Sequence, residues 1–207
     1  MSMESEHLIV PKTKRGEATL QKIFDAAEVL FYESGYAETS ITNITERAGI
    51  ANGTFYIYFK DKRSLFRCMM ERYSQELRRA TTVAAAEYKT RYERELHGFK
   101  AYIAYMIENP GVFRIILESF YVEPDLFRDY YEVFAGHYSE ALSQAMGDGE
   151  VIDCDVTVAS YLLMGGYTFL GLKYVIFDGK KSVSDEEVEK LFRILSRGLL
   201  IAPEAGD

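Results

Sequence analysis

The stretch that decides the fold runs from Ile41 to Lys62, ITNITERAGIANGTFYIYFKDK. Ile41, Ile44 and Ala48 recur at helical spacing, which puts one apolar stripe of a short helix inward. Gly49 follows, a residue able to take the left-handed backbone conformation that ends a helix. Ile50 supplies an apolar plug for the turn, and a second helix begins at Ala51 or Asn52. Phe55 and Phe59, four apart, form the buried face of that second helix. At about 100° per residue, Gly53, Thr54, Ile57 and Tyr58 then point away from the core. A helix with a glycine near its start and hydroxyl, aromatic and small groups outward can lie close against another surface. That is how the second helix of a helix-turn-helix enters the major groove of DNA.

The run from Thr39-Ser40-Ile41 through Ala48-Gly49-Ile50, Gly53-Thr54-Phe55-Tyr56-Ile57-Tyr58-Phe59 and Lys62 resembles the N-terminal domain of TetR-family transcriptional repressors. The resemblance is sharp over the first quarter of the chain and extends beyond it only as an all-helical layout. It implies DNA contacts from Thr54, Tyr56, Tyr58 and Lys62, assisted by Thr39 and Thr42. Asn52, Gly53 and Ile57 belong to the same reading surface. Many members have serine where Ala51 stands and lysine where Asn52 stands, so one hydroxyl and one phosphate contact are missing here. Ile57, outward on a polar face, suits the C5-methyl of a thymine, the one apolar group the major groove displays.

Outward from this module, Glu17 to Ser34 reads as a helix with Leu20, Ile23, Phe24, Ala27, Leu30 and Phe31 on one stripe. Gly35 ends it and Tyr36 packs back. Met1 to Val10 reads as a loose tail. Ser40 is the expected N-cap of the next helix, and Asp61 that of a linking helix over about residues 62–80, with Leu65, Phe66, Met69 and Tyr73 on one face. The division expected is a DNA-binding domain at 1–62 and a helical ligand-binding and dimerisation domain at 63–207.

The net charge of −8 looks wrong for a DNA binder. Between Lys12 and Arg67, however, 9 Lys or Arg stand against 7 Asp or Glu, and the acidity belongs mainly to the remainder. Screening acts over roughly 8–10 Å at physiological salt, so the local field decides phosphate contact. Lys12, Lys14 and Arg15 precede the first helix, and Lys60, Lys62 and Arg63 follow the reading helix.

Beyond the linker the periodicity stays helical. Asn109-Pro110 breaks the chain, and Pro110 suits the first turn of a helix carrying Val112, Phe113, Ile116, Leu117 and Phe120. Another helix starts at Pro124 and runs to the Gly147-Asp148-Gly149 turn. From Phe99 to Tyr138 there are 11 Phe or Tyr residues in 40. That density serves either a bulky core or the wall of an apolar cavity with phenolic hydroxyls as its polar handles. On the second reading Tyr102, Met106, Phe113, Phe120, Tyr131, Phe134 and Tyr167 line a site for a small apolar or aromatic effector, for example one with a long acyl chain. Arg114 and Glu118, four apart, read as a local ion pair.

Val156 to Phe177 is 22 residues with one charge, Lys173, long enough to span a bilayer. Gly165, Gly166 and Gly171 interrupt it and no second such segment exists, so no membrane partner is expected. A helix apolar nearly all round is otherwise covered on both sides. Ser184-Asp185-Glu186-Glu187 has capping-box form and opens a last helix with Val188, Leu191, Phe192, Leu195 and Leu199 on one stripe. Segments at about 153–177 and 185–200 from two chains make a four-helix homodimer interface, as the resemblance also implies.

No catalytic constellation appears. His7, His97 and His137 are scattered, and there is no His-Glu-x-x-His, Gly-x-Ser-x-Gly or glycine-rich phosphate loop. Cys68 and Cys154 lack ligand spacing, so no metal or cofactor is expected, and two free thiols fit a reduced cytoplasm. No basic-then-apolar signal segment opens the sequence. The expectation is an all-α, cytoplasmic, homodimeric repressor that binds a palindromic double-stranded operator and leaves it when an apolar effector binds. The alternative is a helical ligand carrier or enzyme with an unused helix-turn-helix. Salt-sensitive binding to a palindromic duplex separates the two.

Overall fold

A computed structural model describes residues 7–197. Among these residues every regular element is helical: α1 Lys14–Glu38, α2 Ile41–Ala48, α3 Asn52–Phe55, α4 Lys62–Ala85, α5 Arg91–Glu108, α6 Gly111–Val122, α7 Pro124–Gly147, α8 Val156–Leu172 and α9 Asp185–Arg197. A π-helical turn, Lys173–Phe177, prolongs α8. Most of the expected tail and Leu199, at the expected end of the last stripe, lie outside the described residues.

The chain forms two compact units. One holds the residues up to Glu76 together with Asn109–Gly136, and the other holds Leu77–Glu108 and the chain from His137 onward. The described part of the expected reading head, up to residue 62, lies wholly in the first unit. That unit also takes α6, which packs along α1. Both α4 and α7 contribute residues to each unit.

In the first unit Phe31, Phe55, Phe59 and Phe66 are fully buried with Ile23, Ala27, Ile44 and Leu65. Phe24 meets Phe59 edge-on at 5.8 Å, and Phe66 meets both Phe31 and Tyr36. Each such ring contributes about 1.5–3 kcal/mol by leaving water. In α6, Val112, Phe113, Ile115 and Ile116 are buried, whereas Leu117 and Phe120 are 45% and 50% exposed. The sequence stripe through Phe120 was therefore too wide; the buried face turns back to Ile115.

The caps follow from the sequence. The Ser40 hydroxyl accepts from the Asn43 amide at 3.0 Å, and the Asn43 side chain accepts from the Ser40 amide at 2.9 Å. Gly49 closes α2 with φ 66° and ψ 39°, where any residue with a Cβ would cost roughly 1–2 kcal/mol. Asp61 accepts from the Ser64 amide at 2.7 Å and opens α4. Gly35 (φ 83°) kinks α1 rather than ending it, and Tyr36 packs back against Phe31 and Phe66.

In the second unit Phe99 and Ile103 of α5 and Val188 and Phe192 of α9 form the core, with Tyr102, Tyr167 and Leu170 packed against them. The Ser184–Glu187 capping box closes as expected, the hydroxyl accepting from the Glu187 amide at 3.3 Å. Asp155 caps α8 by accepting from the Thr157 and Val158 amides. No described helix is long and apolar enough to cross a membrane. Cys68 is buried and Cys154 half-buried, and neither is in a disulfide.

Candidate nucleic-acid interface and effector region

The reading surface is built by α2, α3 and the turn after α3. The helix is regular only over Asn52–Phe55, and Tyr56 to Tyr58 continue as turns. That geometry exposes Gly53, Tyr56 and Ile57, the latter two at 55% and 58%, and leaves Thr54 half-exposed. Tyr58 is corrected by the structure: instead of facing outward it is buried, and its hydroxyl donates to the Gly16 carbonyl at 3.2 Å. The physical reason is the early end of the helix. Once helical spacing stops at Phe55, the neighbours Tyr58 and Phe59 both turn into the core.

Thr39 is likewise buried, its hydroxyl donating to the Gly35 carbonyl at 2.8 Å. Asn52 reaches back to α2: its oxygen accepts from the Thr45 hydroxyl at 2.5 Å and its amide donates to the Thr42 hydroxyl at 3.4 Å. Thr42 and Asn52 thus tie the two helices of the motif together and remain exposed.

Lys62 is half-buried and its ammonium is occupied. Its Nζ donates to the Tyr36 and Thr39 carbonyls, both at 2.6 Å, and sits 4.1 Å from the centre of the Tyr36 ring. Burial lowers its pKa below the ordinary lysine value, against the pull of Glu118 and Glu38. Glu118 of α6 accepts from the Tyr36 amide at 2.8 Å, so the N–H and C=O of one residue are held by two charged side chains. The expected Arg114–Glu118 pair forms at 3.4 Å, and Arg114 also donates to the Tyr32 carbonyl at 2.5 Å. These two residues of α6 therefore grip α1 at its kink. Sequence spacing showed their pairing but not this grip.

The expected effector residues fall in both units. In the first, Phe113 is buried, while Phe120, Phe127 and Tyr131 form a run of edge-on aromatic contacts along α6 and α7, and Phe134 meets Tyr130 at 5.1 Å. In the second, Met106 is buried, and Tyr102 and Tyr167 flank Phe99, with Tyr167 at 4.6 Å. The reading missed Glu95. Its carboxylate lies 14% exposed where α5, α7 and α8 meet, and accepts from the Tyr138 hydroxyl, from the Tyr167 hydroxyl at 3.1 Å and from Arg91. Burial first, then the charges around them, pushes both phenols well above the ordinary tyrosine range.

Residues 23–69 match the family model described as "Bacterial regulatory proteins, tetR family". Over these residues the chain carries the N-terminal domain of the TetR family. Within that family the fatty acid metabolism regulator protein of Bacillus subtilis is 36% identical over 52 residues, 25% of this chain and 27% of that protein. The HTH-type regulator YvdT of the same organism is 39% identical over 62 residues, 30% of this chain and 31% of its own length. The chain thus aligns with about a quarter to a third of the length of these relatives. The TetR fold extends further. The regulator FadR of Bacillus subtilis, solved in complex with stearoyl-CoA, superposes with TM-score 0.75 at 19% identity, over 87% of this chain and all of that one. FadR of Bacillus halodurans gives 0.77 at 16% identity, over 90% and 96%. These relatives and neighbours are regulators of transcription or of fatty acid metabolism by their names.

Proposed function

We propose that this protein is a ligand-responsive repressor that binds a palindromic operator as a homodimer and leaves it when an apolar effector binds. The observation that carries the DNA-binding half is the Tyr56–Ile57 edge. Large side chains stand exposed there on a helix-turn-helix whose core is buried and whose first helix is capped at both ends. Thr54, Tyr56 and Ile57 supply the base contacts in this reading, with Ile57 against a thymine methyl. Thr42 and Asn52 set the angle between the two helices and contact the backbone.

Dimerisation is supported by α8. Val158, Leu162 and Phe169 are exposed at 63%, 72% and 71% along one face, with Gly165 and Gly166 open between them. Ile194 and Leu195 of α9 add to the uncovered apolar surface. The effector assignment rests on the second unit, where the Phe99–Tyr102–Tyr167 aromatic group adjoins the polar Glu95 cluster. That pairing suits a ligand with a long apolar part and a polar end. The stearoyl-CoA held by the similarly folded FadR makes a long-chain acyl thioester the class to try first. Selection of operators from a random duplex pool, followed by release with stearoyl-CoA, tests the whole reading. Failure to enrich a palindrome would reject the repressor, and enrichment without release would reject the effector class alone.

A further inference from the structure

An open cleft of about 550 Å³ separates the segment His7–Ile9 from the reading turn and the start of α4. Its walls carry Lys60, Arg63, Arg67 and the Tyr56 side chain, with Leu8 and Ile9 as the apolar side. The segment is pinned there by the Ile9 amide, which donates to the Tyr58 carbonyl at 3.0 Å.

The cations are not all spent inside the protein. Arg63 and Arg67 share one carboxylate, that of Glu123, which is 1% exposed. Asp61 is engaged by both the amide and the hydroxyl of Ser64. Lys60 is exposed and makes no direct ion pair among the described residues. Lys60, Arg63 and Arg67 thus stand against two carboxylates, Asp61 and Glu123, so the lysine and arginine side chains leave a surplus positive charge. Lys62, by contrast, spends two of its three N–H donors on the backbone carbonyls of the α1–α2 junction and lies against the Tyr36 ring.

We infer that this cleft, and not Lys62, binds the phosphodiester backbone beside the groove that α3 reads, an inference that rests on the DNA-binding reading above. Lys60 supplies the point charge, the guanidinium of Arg63 supplies planar donors that match phosphate geometry, and the Tyr56 hydroxyl supplies a neutral donor. Leu8 and Ile9 lie where a deoxyribose would follow the phosphate. The cleft starts at the exposed Tyr56, so a strand engaged by the reading turn enters it directly.

The test uses the full chain and a labelled, mixed-sequence duplex of roughly 30 base pairs, about three helical turns. Affinity is measured against salt. Each lost phosphate contact lowers the log–log slope by about 0.9. Lys60→Ala, an exposed change, should flatten the slope by about one unit per protomer. Lys62→Ala should lower thermal stability and leave the slope of the folded protein as it was. An unchanged slope in Lys60→Ala, or a flattened one in folded Lys62→Ala, overturns the assignment. Phosphorus NMR of inorganic phosphate without DNA gives the second arm: binding lost in Lys60→Ala beside an unchanged duplex slope would mark a free-anion site and also overturn it. If wild type shows no salt-dependent duplex binding, the DNA-binding reading falls as well.

Discussion

At the residue scale, Lys62 shows how a motif position can do something other than its pattern suggests. The sequence places it one turn past the reading helix, where a lysine is well set to meet phosphate. Its four-carbon stem instead folds back to the carbonyls of Tyr36 and Thr39. Removing the ammonium leaves two half-buried acceptors without their charged donor, a loss of about 1–3 kcal/mol. For Lys62→Ala we expect a melting temperature lower by roughly 4–8 °C, taking about 2 kcal/mol and a protein of this size. An unaltered melting temperature would show that water replaces the ammonium without cost. Tyr58 makes the same point from the other side. Spacing put it outward, and a helix that ends at Phe55 turned it in. Periodicity says which residues share a face while the helix lasts; it does not say where the helix stops.

At the scale of elements, the caps were legible because each is a local matter of three or four residues: Ser40 with Asn43, Gly49, Asp61 with Ser64, Ser184 with Glu187. The Glu95 cluster was not, because its partners lie 43 and 72 residues away on α7 and α8. No spacing rule joins them. The cluster makes a pH prediction whose sign is fixed by its phenols. Tyr138 and Tyr167 hold their protons more tightly in the folded chain than in the unfolded one, where the ordinary value is about 10. Their contribution is complete below about pH 10 and is lost as pH rises through the folded values, since the unfolded state sheds its protons first. Urea midpoints measured between about pH 8 and pH 11 should fall at the alkaline end. Changing both tyrosines to Phe should flatten that fall while lowering stability near neutrality, because Glu95 loses two donors. An alkaline fall equally steep in the double variant would place its cause elsewhere.

The uncovered face of α8 belongs to the same scale. A helix with one charge in its apolar run was expected to be covered on both sides, yet Leu162 and Phe169 stand in water within a single chain. The sequence pattern did not say which face stands open; Val158, Leu162 and Phe169 mark it. Replacing Leu162 by Glu would bury a carboxylate without a partner if a second copy covers this face, a cost large enough to prevent association. Sedimentation should then show dimers for wild type and monomers for Leu162→Glu, with duplex affinity reduced at least tenfold. A dimeric variant would move the interface away from α8.

For the whole molecule, the proposed effector response is a linkage between two binding events. Helices α4 and α7 each give residues to both units, so the backbone of one unit continues into the other within regular helix. Ligand binding near Tyr102 and Tyr167 changes DNA affinity only if the ligand prefers the conformation that DNA does not. The demand is reciprocal: the factor by which stearoyl-CoA weakens operator binding must equal the factor by which the operator weakens stearoyl-CoA binding, with a typical range of about 5–150-fold. Both factors are measurable by titrating each ligand in the presence and absence of the other, and unequal values would mean that the thioester competes through some other equilibrium. Tyr102→Ala separates the two sites. Tyr102 packs on Phe99 in the second unit, whereas Thr54, Tyr56 and Ile57 belong to the first. The variant should therefore weaken stearoyl-CoA binding and raise the thioester concentration needed for release, while operator affinity in its absence stays within about twofold, under 0.5 kcal/mol. If operator affinity falls as far as ligand affinity does, with helicity unchanged by circular dichroism, the effector region and the reading head are not separable.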